Sequence, residues 1–171
     1  MSTHMHQQPS RNAGMSSVPG SGDSSVTILA APEMTEGRIA LIELRGRHGS
    51  GPPLHRHSRE DELIYVLDGQ VTFYLAGERI EGAAGTWVFL SRGSAHGYTI
   101  ESGTARLLVV LVPAERGIEE CIRALSHHAI DPAGEDPASG WDIERLVTTA
   151  ARYGVEITGP RPDDSKRGPR Q

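Results

Sequence analysis

The chain has 171 residues, a formal charge of −5 and 37% hydrophobic residues, enough for one small core with loose ends. The acidic balance and the lack of an aromatic-rich basic stripe argue against nucleic acid as a partner. No apolar run is long enough to span a membrane. Cys121 is the only cysteine, so an internal disulfide is excluded. With no signal-peptide hydrophobic core at the N-terminus, a reducing cytoplasm is the expected location.

Residues 1–24 are rich in Ser, Gly, Gln and Met without apolar periodicity, and a disordered tail is expected there. From residue 25 to 113 short strand-like runs recur: VTILA, RIALIELR, PLHRH, ELIYVL, QVTFYLA, ERIE, TWVFL, HGYTI and ARLLVVLV. Gly- and Asp-containing turns separate them, and no run is followed by a helix long enough for a parallel crossover. This pattern predicts an all-β sandwich or closed barrel. Asp68-Gly69 reads as a type I′ hairpin turn. The edge of the early strand at Val26–Ala30 needs covering, which a homodimer could provide by strand addition or exchange.

Residues 114–158 read as a helical extension of two amphipathic helices. The first carries Ile118, Cys121, Ile122 and Leu125, and the second Ile143, Leu146, Val147 and Ala150. Gly154 is placed to end the second, with Trp141 and Tyr153 anchoring it to the barrel. Cys121 sits in the apolar stripe of the first helix as a buried, inert thiol. Residues 159–171 form a loose tail.

The chemistry concentrates in PLHRHSREDELIYVLDG. On an extended chain His55 and His57 project to one face and can reach one metal ion together, which on a helix they could not. Glu62 opens the next strand on the same face as Ile64 and Val66. Glu60 and Asp61 compete with it as the carboxylate, but strand alternation favours Glu62 and leaves those two in an exposed turn. His96 opens another strand after a Gly-containing turn and supplies a fourth donor. His4-Met5-His6 and His127-His128 lie in polar or tail-like surroundings and are poor ligand candidates.

The spacing of Gly49, His55, His57, Glu62 and Gly69 resembles the first motif of the cupin superfamily. Gly85, Gly93 and His96 resemble its second motif, with Ser91 where Pro is usual and Ile100 where Asn is usual. The resemblance spans roughly residues 25–112 and implies a double-stranded β-helix, or jelly roll, followed here by two C-terminal helices. It also implies one divalent transition metal (Fe, Ni, Mn, Co, Cu or Zn) held by His55, His57, Glu62 and His96.

Four protein ligands on a six-coordinate ion leave two positions for substrate or dioxygen. Glu62 can serve as ligand, as general base, or as both. Ile64, Val66, Phe89, Tyr98 and Ile100 are the candidate pocket residues. Arg56 points away by parity, so the expected ligand is mostly apolar with a few oxygens. Within the superfamily the chain is similar to quercetin-dioxygenase-like cupins. A dioxygenase acting on a phenolic or enolic, flavonoid- or polyketide-like substrate is the first expectation. A non-oxidative polyketide cyclase or isomerase using the same metal is the second, and a non-catalytic small-molecule-binding domain the third.

Overall fold

The computed structural model describes residues 16–19, 24–114, 121–122 and 143–162. In chain order the strands are β1 (Ser16–Pro19), β2 (Ser25–Ala30), β3 (Ala40–Arg47), β4 (His55–His57), β5 (Asp61–Asp68), β6 (Gln70–Leu75), β7 (Glu78–Ala83), β8 (Trp87–Leu90), β9 (His96–Ile100) and β10 (Thr104–Val112). Helix α1 (Ile143–Arg152) and β11 (Val155–Ile157) follow. One sheet has the order β1-β2-β3-β10-β5-β8 and the other β11-β4-β9-β6-β7, with antiparallel pairing throughout.

Period-two alternation decides which side chains enter the space between the sheets. On β5 Glu62, Ile64 and Val66 point inward, and on β10 Ala105, Leu107, Val109 and Leu111 do. Val71 and Phe73 of β6 and Ile100 of β9 face them from the second sheet. Each such large side chain contributes roughly 1.5–3 kcal/mol of burial.

Several expectations are corrected. Residues 16–19, placed by composition in a disordered tail, form β1 and pair with β2 from Ser16↔Ile28 to Pro19↔Ser25. The outer edge of β2 is thus covered by β1 of the same chain. Asp68-Gly69 is not a hairpin turn, because β5 and β6 belong to different sheets and the pair carries the chain between them. Only Gly69 of the two has positive φ, whereas a type I′ turn needs both. That requirement is met at Ala76 (φ 50°) and Gly77 (φ 89°), which join the paired strands β6 and β7.

Of the expected first helix only Cys121 and Ile122 are described, and both are helical. Ile118, Leu125, His127, His128 and Trp141 lie outside the described residues. The second helix is present as α1. Its Ala150 is buried and Tyr153 packs on the core, but Val147 is 42% exposed.

The helical extension also ends in a strand that its composition did not announce. Val155↔His57 and Ile157↔His55 are register partners, so β11 lies directly beside β4. Ser58 donates from its N–H (2.8 Å) and its Oγ (2.9 Å) to the Gly154 carbonyl, closing one end of β4. At the other end Thr158 N–H donates to Leu54 O (2.8 Å) and Leu54 N–H to Pro160 O (3.3 Å). Arg161 donates to Gly49 O at 3.2 Å, and Arg56 pairs with Glu156 at 2.7 Å on the outer face. By contrast β4 meets β9 through the single register pair His55↔His96.

A Cβ on Gly154 (φ +76°) would lie 2.7 Å from Ser58 Oγ and 2.9 Å from the Arg59 side chain, whereas one on Gly77 (φ +89°) would meet nothing within 4 Å. Both alanine variants carry the left-handed backbone penalty of about 1 kcal/mol. Gly77→Ala should therefore lower Tm by about 2–4 °C, and Gly154→Ala by clearly more. Equal shifts in thermal denaturation would refute the close contact between residue 154 and the β4 turn.

Candidate metal centre

His55 and His57 project from β4 and His96 from β9, while Glu62 comes from the opposite sheet on β5. All four are buried. Each offers one donor atom, and those atoms lie within 4.8 Å of one another. The imidazoles are crowded, with ring centroids 4.5 Å apart for His55–His96, 5.2 Å for His55–His57 and 5.5 Å for His57–His96. Glu62 Oε2 is 3.1 Å from His96 Nε2 and 3.5 Å from His57 Nε2.

The far side of each ring is also occupied. His55 Nδ1 is 2.8 Å from Pro53 O and His96 Nδ1 is 2.9 Å from Ser94 O. A carbonyl can only accept, so each Nδ1 carries the proton, and Nε2 is left to face the other donors. His57 Nδ1 faces Glu60 Oε2 at 3.4 Å.

The electrostatics suit a cation. Burial, reinforced by the neighbouring His96 and His57, depresses His55 to about 3, so its ring is neutral. Burial works against ionised Glu62, yet the hydrogen bond from His96 and the three imidazoles outweigh it and hold its carboxyl at about 2. Burial likewise opposes charge on His96, but the bond to Glu62 raises its pKa above the ordinary value. Imidazole nitrogens with one carboxylate form a donor set suited to borderline divalent metals. The residues present fit such an ion.

Above the cluster opens a cavity lined by Ile42, Leu44, Ile64, Ile100, Leu107, Val109, Leu111 and Ile122, with Tyr98 and Ser50 among its few polar side chains. Burial, with the charge of Glu62 adding to it, raises the Tyr98 phenol well above its ordinary range, so it stays a hydrogen-bond donor. Arg45, Gly46, Gly51 and Pro52 also line this space.

Among the sequence-selected pocket residues, Ile64, Tyr98 and Ile100 line the cavity. Val66 is buried in the core but does not line it. Phe89 is corrected: it is 51% exposed, because β8 turns Val88 and Leu90 inward and Trp87 and Phe89 outward. Arg56 points away as parity required, and pairs with Glu156.

Asp61 is held by Arg92 at 2.9 Å, and the hydrogen bonds from that residue keep its carboxyl below the ordinary range. Glu60 is not in an exposed turn but 0% exposed behind His57. The available signal was the four-residue stretch His57-Ser58-Arg59-Glu60, since a tight bend returns residue i+3 to residue i. Ile122 was recognised as a helix-stripe residue only, and the cavity-lining role of Leu44 and Gly46 carried no local signature.

Residues 41–111 match the family model for the cupin domain. This segment of the chain is a cupin domain. Over 92 residues the chain is 29% identical to a quercetin 2,3-dioxygenase of Bacillus subtilis, covering 54% of the chain but 27% of that enzyme. The chain thus spans only about a quarter of that relative's length. The polyketide cyclase RemF of Streptomyces resistomycificus is 28% identical, with a TM-score of 0.51 and coverage of 66% of this chain and 82% of that one. KdgF of Halomonas sp. shares the fold at a TM-score of 0.54 and 16% identity, over 60% of this chain and 90% of that one.

The geometry predicts about one divalent ion per chain in protein purified without added metal, with roughly the 2.0–2.2 Å bond lengths usual for such donors. His55→Ala or His96→Ala should abolish that occupancy. His48→Ala should not, because His48 is exposed and faces Glu101 O instead. Elemental analysis of the purified variants reads the result, and loss of metal in the His48 variant would show that the ligands lie elsewhere.

Proposed function

We propose that this protein is a metal-dependent enzyme acting on a phenolic or enolic, flavonoid- or polyketide-like substrate, with dioxygenase chemistry as the first reading. The observation that carries the proposal is the convergence of three inward-facing Nε2 atoms and one carboxylate at an apolar cavity. A divalent ion held by His55, His57, Glu62 and His96 would supply Lewis acidity, lowering the pKa of a substrate hydroxyl.

The chain's own residues do the rest. The apolar walls from β3, β9 and β10 take the body of an aromatic or alicyclic ligand and exclude water from it. Tyr98, kept protonated, can donate to a substrate oxygen. Glu62 is anionic across the physiological range and stands ready to receive the proton of the acidified hydroxyl.

The relatives support an oxygen-bearing aromatic substrate without choosing the reaction. The dioxygenase similarity points to oxidation. The cyclase is favoured by a separate observation, since the match covers 82% of RemF but only 27% of the dioxygenase. In the cyclase reading the same proton abstraction by Glu62 initiates ring closure without consuming oxygen.

Oxygen uptake with a panel of flavonols and aromatic polyketides separates these readings. Uptake coupled to substrate loss is expected. Conversion without uptake would replace the dioxygenase by the cyclase, and binding without turnover would sink both. Glu62→Gln should reduce turnover by roughly 10²–10⁴-fold, the usual worth of a positioned base. Near-normal turnover at full metal occupancy would remove Glu62 from that role.

A further inference from the structure

Glu60 has no part in the chemistry above, yet it is 0% exposed. Its Oε2 lies 3.4 Å from His57 Nδ1, and its Oε1 is a buried oxygen without a hydrogen-bond partner among the described residues. A carboxylate is costly to bury, and one oxygen of this one gains nothing visible in return.

The other two imidazoles show what is missing at His57. His55 and His96 each rest their Nδ1 on the main-chain carbonyl two residues earlier, Pro53 O and Ser94 O. For His57 the contact given to Nδ1 is a side chain, Glu60. The carboxylate does not compete with Glu62 as a ligand, because it stands on the opposite side of the ring. Nε2 of His57 faces Glu62 Oε2 at 3.5 Å.

We propose that Glu60 is a positioning residue of the metal centre: it accepts the His57 Nδ1–H, holds the tautomer that leaves Nε2 as donor, and sets the ring against Glu62. The inference rests on the reading of His55, His57, Glu62 and His96 as a metal site. At 3.4 Å the contact is long for a hydrogen bond, and ligation of Nε2 would strengthen it by making Nδ1–H a better donor. Glu60 also lies near the Cys121 thiol, which burial and, secondarily, this carboxylate push up to about 12. That thiol stays protonated and so adds no second negative charge beside the glutamate.

Cobalt(II) titration against a competing chelator, followed by the visible absorption of the bound ion, tests the role without any enzyme assay. Glu60→Leu keeps the bulk and removes the acceptor, and should weaken cobalt binding about 10–100-fold. Glu60→Gln keeps an acceptor oxygen and should restore affinity to within a few-fold of the wild type. The metal-free leucine variant should melt no lower than wild type, since it loses a buried charge rather than a packing group.

Leucine binding as tight as wild type, or glutamine as weak as leucine, would overturn the proposal. Should the leucine variant fail to fold, the zinc-loaded wild-type protein decides. Ring ¹⁵N NMR should show His57 bound through Nε2 with a proton on Nδ1, and binding through Nδ1 would overturn the role. Absence of metal binding by the wild type is a different result, because it defeats the metal-site reading itself.

Discussion

Glu62 is an ionised carboxylate enclosed between two sheets, and it is tolerable there only because three imidazoles of the opposite sheet face it. An isolated buried charge of this kind would cost several kcal/mol. The contact to His96 at 3.1 Å supplies a compensating proton in the metal-free protein, and a cation placed among the same four donors would supply more charge in the same position. The cluster therefore works as a cross-sheet tie whichever positive charge fills it. The register His55↔His96, the inward parity of Glu62 and the β4 bend all serve that one requirement.

The neighbouring cavity follows from the same arrangement. Strand alternation that points Glu62 inward also points Ile64 and Val66 inward, and β10 contributes Leu107, Val109 and Leu111 to the same interior. A barrel of this size is commonly filled by its own side chains. Here Gly46, Ser50 and Gly51 line part of an open interior, and a Cβ on Gly46 would come within 2.5 Å of the Ile100 side chain. A Cβ on Gly51 would strike the Tyr98 carbonyl at 1.9 Å, so the backbone of that loop lies against β9 without any side chain between them. The loop thereby stays tucked against the strand that carries Tyr98 and His96.

What was legible in the sequence was local. His55 and His57 share a face because they are two apart on a strand, Glu62 is inward because Ile64 and Val66 are, and His96 begins a strand after a glycine-containing turn. All nine apolar runs became strands. The failures lie where tertiary context outweighs local pattern. Val155–Ile157 has no more strand character than many loop segments, and becomes β11 because β4 offers an unpaired ladder. Ser16–Pro19 lacks apolar periodicity but finds the edge of β2. Asp68-Gly69 has hairpin composition, yet the strands it joins pair with other partners. Phe89 was misplaced by one residue of parity, which on a strand exchanges inside for outside. Glu60 reads as a surface charge in any hydropathy profile, and its burial depends on a bend and on the ring of His57.

The strand pairing of β11 bears on the order of synthesis. Arg56 and Glu156, which face each other across that pairing, are 100 residues apart in the chain. On the ribosome the histidine-bearing segment emerges long before the segment that flanks it, and until then β4 is held by its register pair with β9 and by the Gly93 N–H donating to His57 O at 2.6 Å. Non-local pairing of this kind forms late because the entropy of closing so long a loop must be overcome before the paired strands stabilise it. The imidazoles of a nascent chain would thus remain loosely held until that pairing forms. Their mutual geometry is completed only once the β11 segment has left the ribosome and paired with β4.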